Sequence, residues 1–185
     1  DTLSFFSTAG GCCQTTLYGG AGNDSLTGGS FSDSLDGGDG DDVFAPGEKT
    51  VAVSGGPGND RLERTRNFQR LTDEALNYFS ANYSQGDRAL ISGLEEFLLT
   101  GTSSNDTLDA SAYTLTSVTL VGGNGEDSLL GGARDDVLLG GDDDDTLHGG
   151  GGDDSIDGDA GTDLIAGGNG HDVIDGGTRD DTIDG

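Results

Sequence analysis

Single large apolar residues recur every nine positions along two stretches of the chain, and polar or small residues separate them. From Gly122 onwards these apolar residues are Leu129, Leu138, Leu147, Ile156, Ile165, Ile174 and Ile183. Between Gly10 and Glu63 they are Leu17, Leu26, Leu35, Phe44, Val53 and Leu62. One isolated apolar residue per period fits a very short strand with a single inward side chain. The pattern therefore predicts two units per coil, a strand on each side, and coils stacked at about 4.8 Å.

The residues around each apolar position follow the repeat G-G-x-G-x-D-x-U-x, in which U is the apolar residue at position 8. In the later stretch, position 6 holds Asp127, Asp136, Asp145, Asp154, Asp163, Asp172 and Asp181. In the earlier stretch it holds Thr15, Asp24, Asp33, Asp42, Val51 and Asp60. One further unit begins at Gly101 with Asp106 at position 6, and a degenerate unit ends at Val121. Glycine at positions 1, 2 and 4 suits a tight turn that needs positive φ or close backbone approach.

The chain between the two stretches has a different composition. It holds four of the eight basic residues, namely Arg64, Arg66, Arg70 and Arg88. Apolar residues from Phe68 to Phe79 recur at helical spacing, and Thr72 before two acidic residues suits a helix N-cap. We expect a short amphipathic helix from about Asp73 to Asn82, followed by extended chain. The predicted segments are a repeat block at 1–63, an insert at 64–100 and a second repeat block at 101–185. The arginine-rich insert fits either a cap that neutralises acidic charge or a docking surface.

Composition adds a strong negative charge to this picture. The chain has 36 glycines among 185 residues, and its 35 acidic against 8 basic residues give a net charge of −27. Nucleic acids and anionic membranes are poor partners for such a surface, because both select basic patches. No apolar run approaches the roughly 20 residues that span a bilayer. Cations are the natural partners of this chain.

Position-6 carboxylates of units n and n+2 would stack a few Å apart, where like charges repel. A divalent cation between them reverses the sign of that interaction, and Ca²⁺ accepts six to eight oxygen ligands from carboxylates and carbonyls. Mg²⁺ demands a smaller and stricter shell, and Zn²⁺ prefers Cys and His, of which the chain has two each. We therefore predict about eight Ca²⁺ ions, held by the pairs Asp24/Asp42, Asp42/Asp60, Asp106/Asp127, Asp127/Asp145, Asp145/Asp163, Asp163/Asp181, Asp136/Asp154 and Asp154/Asp172.

Two further groups of ligands complete this prediction. Asp33 is expected to be a weaker ligand, since Val51 occupies its partner position and Phe31 replaces a turn glycine. Backbone carbonyls of the turns are also expected to bind, such as those of Gly20, Gly22, Gly38, Gly40, Gly123, Gly125, Gly150, Gly152, Gly168 and Gly170.

No motif for catalysis accompanies the repeats. The chain has no H-E-x-x-H helix, no G-x-S-x-G elbow and no P-loop, so we expect no enzyme activity from it. The adjacent Cys12 and Cys13 suit neither an ordinary disulfide nor a zinc site, which leaves turn filler or an intermolecular bridge.

Units such as "GGAGNDSLT", "GGDGDDVFA", "GGNGEDSLL" and "GGNGHDVID" resemble the RTX (repeat-in-toxin, haemolysin-type) calcium-binding nonapeptide. The resemblance covers about two thirds of the chain. It implies an all-β, right-handed parallel β-roll (β-solenoid) in two blocks with calcium in the turns. It also implies a secreted bacterial parent exported by a type I system. The sequence departs from the pattern at position 4, where Phe31, Arg134, Asp143 and Arg179 stand in four units.

Three functions fit these expectations. The first is a calcium-binding segment of a larger secreted or cell-surface protein, which folds when it meets calcium outside the cell. The second is a structural element of a surface layer, filament or adhesin, in which rolls self-associate or stack on further repeats. The third is the C-terminal secretion and folding module of a secreted protease, lipase or epimerase. The chain reads as a piece of a longer protein, because "DTLSFF" resembles the end of a repeat unit and Gly185 the start of one.

Overall fold

A computed structural model describes residues 2–4, 15–29, 33–47, 52–65, 68–72, 75–78 and 87–185. Within these ranges the chain forms twenty short β-strands and no helix. The strands are β1 Thr2–Ser4, β2 Thr15–Ala21, β3 Ser25–Thr27, β4 Asp33–Asp39, β5 Val43–Ala45, β6 Ala52–Ser54, β7 Arg61–Thr65, β8 Phe68–Thr72, β9 Ala75–Tyr78, β10 Asp87–Ser92, β11 Glu96–Thr100, β12 Thr107–Ala112, β13 Val118–Asn124, β14 Ser128–Leu130, β15 Val137–Asp142, β16 Thr146–Gly151, β17 Ser155–Ala160, β18 Leu164–Asn169, β19 Val173–Asp175 and β20 Thr182–Asp184.

The chain divides into two compact units. The first comprises residues 1–64 and 74–97, and its strands lie in the orders β1-β3-β5-β7 and β2-β4-β6-β10-β9. The second comprises residues 65–73 and 98–185, with the orders β11-β13-β15-β17-β19 and β8-β12-β14-β16-β18-β20. Among the repeat strands of each unit, alternate strands along the chain are neighbours in one sheet, whereas β8, β9 and β10 do not follow this alternation. This is the topology of a parallel β-solenoid, as the resemblance implies for a β-roll. The three predicted segments, with boundaries at 63 and 100, stay a prediction.

The register of the strands follows the predicted stacking of units n and n+2. In the first unit Leu17 lies beside Leu35, in a parallel pair of strands. In the second unit Leu147 pairs in the same way with Ile165, which is also 18 residues further on. Each coil therefore consists of two nine-residue units, and the predicted register is confirmed.

The position-8 side chains form the core of both units. The residues from Leu17 to Leu62 in the first unit and from Leu108 to Ile165 in the second expose at most 4% of their surface at this position. In three-residue strands such as β3 and β14 only the central residue is buried, which is the predicted pattern of one inward side chain per strand. Burial of one such side chain contributes about 1.5–3 kcal/mol to the free energy of folding, and each coil buries two of them.

The predicted helix from Asp73 to Asn82 is wrong for Ala75–Tyr78, and its other residues lie outside the described ranges. Ala75–Tyr78 forms strand β9, which pairs antiparallel with β10 and brings Leu76 beside Ala89. Apolar residues in a short segment fit both a helix and a strand, and an available partner strand overrides local preference. The extended chain expected after this helix, from Arg88 to Thr100, is confirmed by β10 and β11. No described segment is a helix long and apolar enough to cross a membrane.

Candidate metal centre

The aspartates at position 6 point into the solenoid and are buried beside its apolar core. Ten of them expose 5% or less of their surface: Asp24, Asp33, Asp42, Asp60, Asp106, Asp127, Asp136, Asp145, Asp154 and Asp163. Asp172 and Asp181, in the last two units, are half-buried. A carboxylate removed from water is costly unless other groups compensate its charge. The position-6 aspartates of stacked units form columns along the solenoid. The hydrogen-bond partners of each carboxylate oxygen therefore determine whether these columns can bind cations.

In nine of these carboxylates, Oδ1 belongs to a regular hydrogen-bond ladder. The backbone N–H of Asp127 donates to Oδ1 of Asp145 at 2.7 Å, and the N–H of Asp145 donates to Oδ1 of Asp163 at 2.8 Å. The same bond, between 2.7 and 3.0 Å, joins the members of all eight pairs expected from the repeat. The degenerate unit takes part too, because the N–H of Val118 donates to Oδ1 of Asp136. The ladder fixes one carboxylate above another at each step.

The second oxygen has no such partner in several units. Oδ2 is fully buried and accepts no hydrogen bond from the described residues in Asp42, Asp60, Asp127, Asp145, Asp154 and Asp163. Leaving a buried acceptor of this kind unsatisfied costs about 1–3 kcal/mol, and more when the group is charged. A column of such oxygens therefore favours a bound cation.

The position-1 glycine keeps the space beside Oδ2 open. A Cβ atom built on Gly140 would lie 2.5 Å from Oδ2 of Asp145 and 2.8 Å from the carbonyl oxygen of Gly158. At Gly158 the corresponding distances are 2.5 Å to Oδ2 of Asp163 and 2.7 Å to the carbonyl oxygen of Gly176. Any side chain at position 1 would therefore displace the carboxylate of its own unit or the carbonyl of unit n+2. Two oxygens from units n and n+2 converge there.

The conformation of position 2 separates the turns into two kinds. In the first kind, here called open turns, position 2 has positive φ, as at Gly38 with φ 98° and Gly141 with φ 117°. All six aspartates with an unsatisfied Oδ2 belong to open turns. The predicted carbonyl ligands from Gly20 to Gly170 also have positive φ, at positions 2 and 4 of open turns.

In the second kind, here called closed turns, position 2 has no positive φ and its N–H donates to the carboxylate of the same unit. The N–H of Gly29 donates to Oδ2 of Asp33 at 2.7 Å, and that of Gly132 donates to Oδ2 of Asp136 at 2.6 Å. The N–H and hydroxyl of Thr102 donate in the same way to Oδ2 of Asp106. In a closed turn the carboxylate is satisfied by its own chain, so it has less need of a cation.

The non-glycine residues at position 4 have different effects. Asp143 and Arg179 adopt positive φ, 80° and 87°, and therefore keep the backbone of an open turn despite their side chains. Arg134 lies in a closed turn and has no positive φ. Phe31 lies outside the described residues, as do Cys12 and Cys13.

Burial raises the pKa of several column carboxyls, and hydrogen bonds from the backbone oppose the rise only in part. The pKa is raised to about 7 for Asp145 and to about 6 for Asp127 and Asp136, with burial as the largest cause. Burial also raises the pKa of Asp60, Asp154 and Asp163, and neighbouring carboxylates add to the effect. The column thus resists full ionisation unless positive charge is supplied.

One turn receives positive charge from the chain itself. The unit from Pro46 to Ser54 has Val51 in place of aspartate. The buried guanidinium of Arg64, at position 1 of unit n+2, donates through Nη1 to the carbonyl oxygens of Pro46 and Gly47, the latter at 2.7 Å. A fixed cation therefore lies against turn carbonyls in a unit that has lost its carboxylate.

Two sets of residues at the site were not predicted from the sequence. Side chains at position 5 form an outer ladder, in which the N–H of Asp153 donates to Oδ1 of Asp135 and the N–H of His171 donates to Oδ1 of Asp153. The frequent Asn and Asp at position 5 were the available signal. Glu95, outside the repeats, accepts the N–H of Asp60. Its position two residues before the buried Phe97 matches the spacing from Asp60 to Leu62.

The donor set fits calcium. Each stacked pair offers buried carboxylate oxygens and nearby backbone carbonyls, which are hard ligands suited to Ca²⁺. No cluster of three or more His, Cys, Asp or Glu side chains forms a metal site in the described part of the chain. Protein carbonyls and water would therefore have to supply the rest of a six- to eight-oxygen shell. Zinc finds neither thiolate nor imidazole in the columns.

Comparison with known families supports the same chemistry. The model of the RTX calcium-binding nonapeptide repeat matches the chain four times, at residues 18–48, 121–156, 130–165 and 166–185. These matches span just over half of the chain and fall in both repeat stretches. A comparison with curated proteins gave no match.

Proposed function

Because this chain belongs to the RTX calcium-binding nonapeptide repeat family, we propose that it is a segment of a larger protein that folds when calcium binds between its coils outside the cell. Repeats of this family are structural and bind calcium rather than catalyse reactions, and they are typical of secreted bacterial proteins.

The observation that carries the proposal is the column of buried, unsatisfied Oδ2 atoms. In Asp127, Asp145 and Asp163 they follow one another at successive coils of the second unit. Without a cation, the folded state must hold these charged groups in a low-dielectric interior, where repulsion is strong. With Ca²⁺ the same oxygens become ligands, so the free energy of binding becomes free energy of folding.

The proposed ions lie between units n and n+2, one for each of the eight ladder pairs. The position-6 carboxylates of open turns are the main ligands. Asp33 is a weaker one, because Gly29 already satisfies its Oδ2. Carbonyl oxygens of the turns complete each shell, including those of position-1 glycines such as Gly158, which converge with Oδ2.

The net charge of −27 supports folding on the outside of the cell. At low calcium the acidic columns repel one another, and the chain has too few apolar residues to overcome that repulsion. Extracellular calcium modules bind with dissociation constants of about 10⁻⁴ to 10⁻³ M, far above the affinities of about 10⁻⁷ to 10⁻⁵ M that intracellular sensors use. An affinity in the extracellular range would leave the chain unfolded until export.

A calcium titration followed by far-ultraviolet circular dichroism tests this proposal. We expect coil in chelator, a cooperative gain of β signal, and a midpoint of about 10⁻⁴ to 10⁻³ M. Magnesium at the same concentrations serves as the control and should restore much less signal. A midpoint in the range of intracellular sensors would contradict folding outside the cell. A spectrum indifferent to calcium would contradict the function as a whole.

The second candidate function is a structural element of a surface layer, filament or adhesin. The observation that favours it is the parallel stacking of the coils, in which each strand pairs with the strand 18 residues further on, as Leu147 does beside Ile165. The same strand pairing is available between coils of two copies of the chain. Electron microscopy with and without calcium distinguishes this candidate, because stacking would produce filaments or sheets in calcium only.

A further inference from the structure

The coil that follows Asp60 in the first unit is not a repeat unit. Elsewhere the N–H of one aspartate donates to the next aspartate of the column, as Asp42 does to Oδ1 of Asp60 at 2.9 Å. The N–H of Asp60 donates instead to Oε2 of Glu95 at 2.8 Å. The backbone N–H groups of Glu95 and Glu96 both donate to the carbonyl oxygen of Asp60, at 2.9 and 3.0 Å. Two of these hydrogen bonds hold Glu95 in the place of a position-6 residue, and the third holds the adjacent Glu96.

Asp60 presents a free ligand atom at this step. Its Oδ2 is buried and accepts no hydrogen bond from the described residues, and the side chain as a whole is 0% exposed. The carbonyl oxygen of Gly93 and Oδ2 of Asp60 both lie where a Cβ atom on Gly55 would be. Gly140 and Gly158 show the same arrangement with repeat residues on both sides. Gly93 therefore provides the carbonyl that a position-1 glycine provides elsewhere.

The segment from Gly93 to Glu95 replaces positions 1 and 6 of a repeat unit with a shorter turn. Position 1 and position 6 of a repeat are five residues apart, whereas Gly93 and Glu95 are two residues apart. Gly93 has φ 59°, a left-handed conformation that glycine adopts without strain. Glutamate is one methylene longer than aspartate, and that length lets its carboxylate reach the column from a shortened turn.

Resting on the proposed calcium function, we propose that Asp60, Glu95 and the carbonyl of Gly93 form a further calcium site, in which chain from outside the repeats replaces a repeat unit. Two carboxylates and a carbonyl are hard oxygen ligands, as Ca²⁺ requires. The shortened turn lacks the carbonyls of positions 2 to 5, so water supplies more of the shell. This site extends the column of Asp24, Asp42 and Asp60 by one ion.

Glu95→Gln tests the site by removing charge while keeping shape. The amide oxygen of glutamine still accepts the N–H of Asp60, so the ladder bond remains available. Glu96→Gln is the matched control, because it removes the same charge from an exposed neighbouring side chain. Native mass spectrometry of the full chain in saturating calcium should show one ion fewer for Glu95→Gln than for the wild type and Glu96→Gln. An equal count in the two variants would overturn the site.

A second measurement stands even if Glu95→Gln fails to fold. Anomalous diffraction from wild-type crystals grown in calcium should place an ion about 2.3–2.6 Å from Oδ2 of Asp60 and from the carbonyl oxygen of Gly93. If calcium is found elsewhere in the columns but not at this position, the proposed site is overturned and the proposed function is not. A wild-type chain that binds no calcium anywhere would overturn the proposed function together with it.

Discussion

Glycines at different positions of the repeat answer different physical needs. At position 2 of an open turn, as at Gly141, glycine supplies a positive φ that other residues adopt only with strain. At position 1, as at Gly140, φ is not positive, and glycine is required because any Cβ would meet two oxygens. The repeat shows the same residue at both positions, so the sequence does not distinguish the two reasons for glycine. The structure shows that position 2 needs a positive φ and that position 1 has no room for a Cβ atom.

Gly140→Ala should disrupt a calcium position. The new Cβ would lie 2.5 Å from Oδ2 of Asp145 and 2.8 Å from the carbonyl of Gly158. Overpacking of this kind costs about 1–3 kcal/mol, and it also displaces two proposed ligands. We expect a higher calcium midpoint in a circular dichroism titration. The control is Gly151→Ala, whose Cβ would meet one atom at 4.0 Å, and an equal effect of both variants would contradict the role of position 1.

Asp154→Asn and Asp33→Asn should differ in their effect on calcium binding. Oδ2 of Asp154 is buried without a hydrogen bond, whereas Oδ2 of Asp33 accepts the N–H of Gly29. Loss of a charged ligand at Asp154 should weaken folding in calcium by about 1–3 kcal/mol and raise the midpoint several-fold. Asp33→Asn should change the midpoint little. Equal midpoints would mean that the column acts as diffuse negative charge rather than as separate sites.

At the scale of elements, the strands were predictable and the region between the repeats was not. One apolar residue per nine specifies a short strand with a fixed inward side chain, so Leu129 and Leu147 identify their own register. Ala75–Tyr78 has no such periodicity, and its pairing with β10 depends on residues nine or more positions away. The pairs of aspartates followed from the repeat, but the open and closed turns did not. The difference lies in one dihedral angle at position 2, which Gly29 and Gly38 set differently.

The turn at Pro46 and Gly47 should depend on arginine rather than on calcium. Arg64→Met would remove hydrogen bonds to both carbonyls and leave these acceptors unsatisfied, at a cost of about 1–3 kcal/mol. Arg61→Met is the control, because its ion pair with Glu63 is exposed and worth about 0–1 kcal/mol. Urea unfolding in saturating calcium should show the larger loss for Arg64→Met. Equal losses would contradict a structural role for the buried guanidinium.

For the whole molecule, protons and calcium should act on the same carboxylates. In the calcium-free folded state burial raises the pKa of Asp145 to about 7 and of Asp127 to about 6, from an ordinary value of 3.8. A raised folded-state pKa contributes stability that is complete below pH 3.8 and is lost as the pH rises through 6 to 7.

The calcium-free chain should therefore gain β structure when the pH falls from about 7.5 to about 5. Circular dichroism in chelator across this range measures the effect. Calcium-saturated protein is the control, and it should show little gain because the cation already compensates the carboxylates. A calcium-free chain that loses β structure on acidification would contradict the burial of uncompensated carboxyl groups.

The central claim is that cations bind between units n and n+2, beside the Oδ2 atoms of open turns. The most direct measurement is anomalous diffraction from crystals grown in saturating calcium, which locates each ion. We predict ions about 2.3–2.6 Å from Oδ2 of Asp127, Asp145 and Asp163, with a carbonyl of unit n+2 in each shell. Ions bound between consecutive units along the chain, or only on the outer surface at position 5, would contradict this claim.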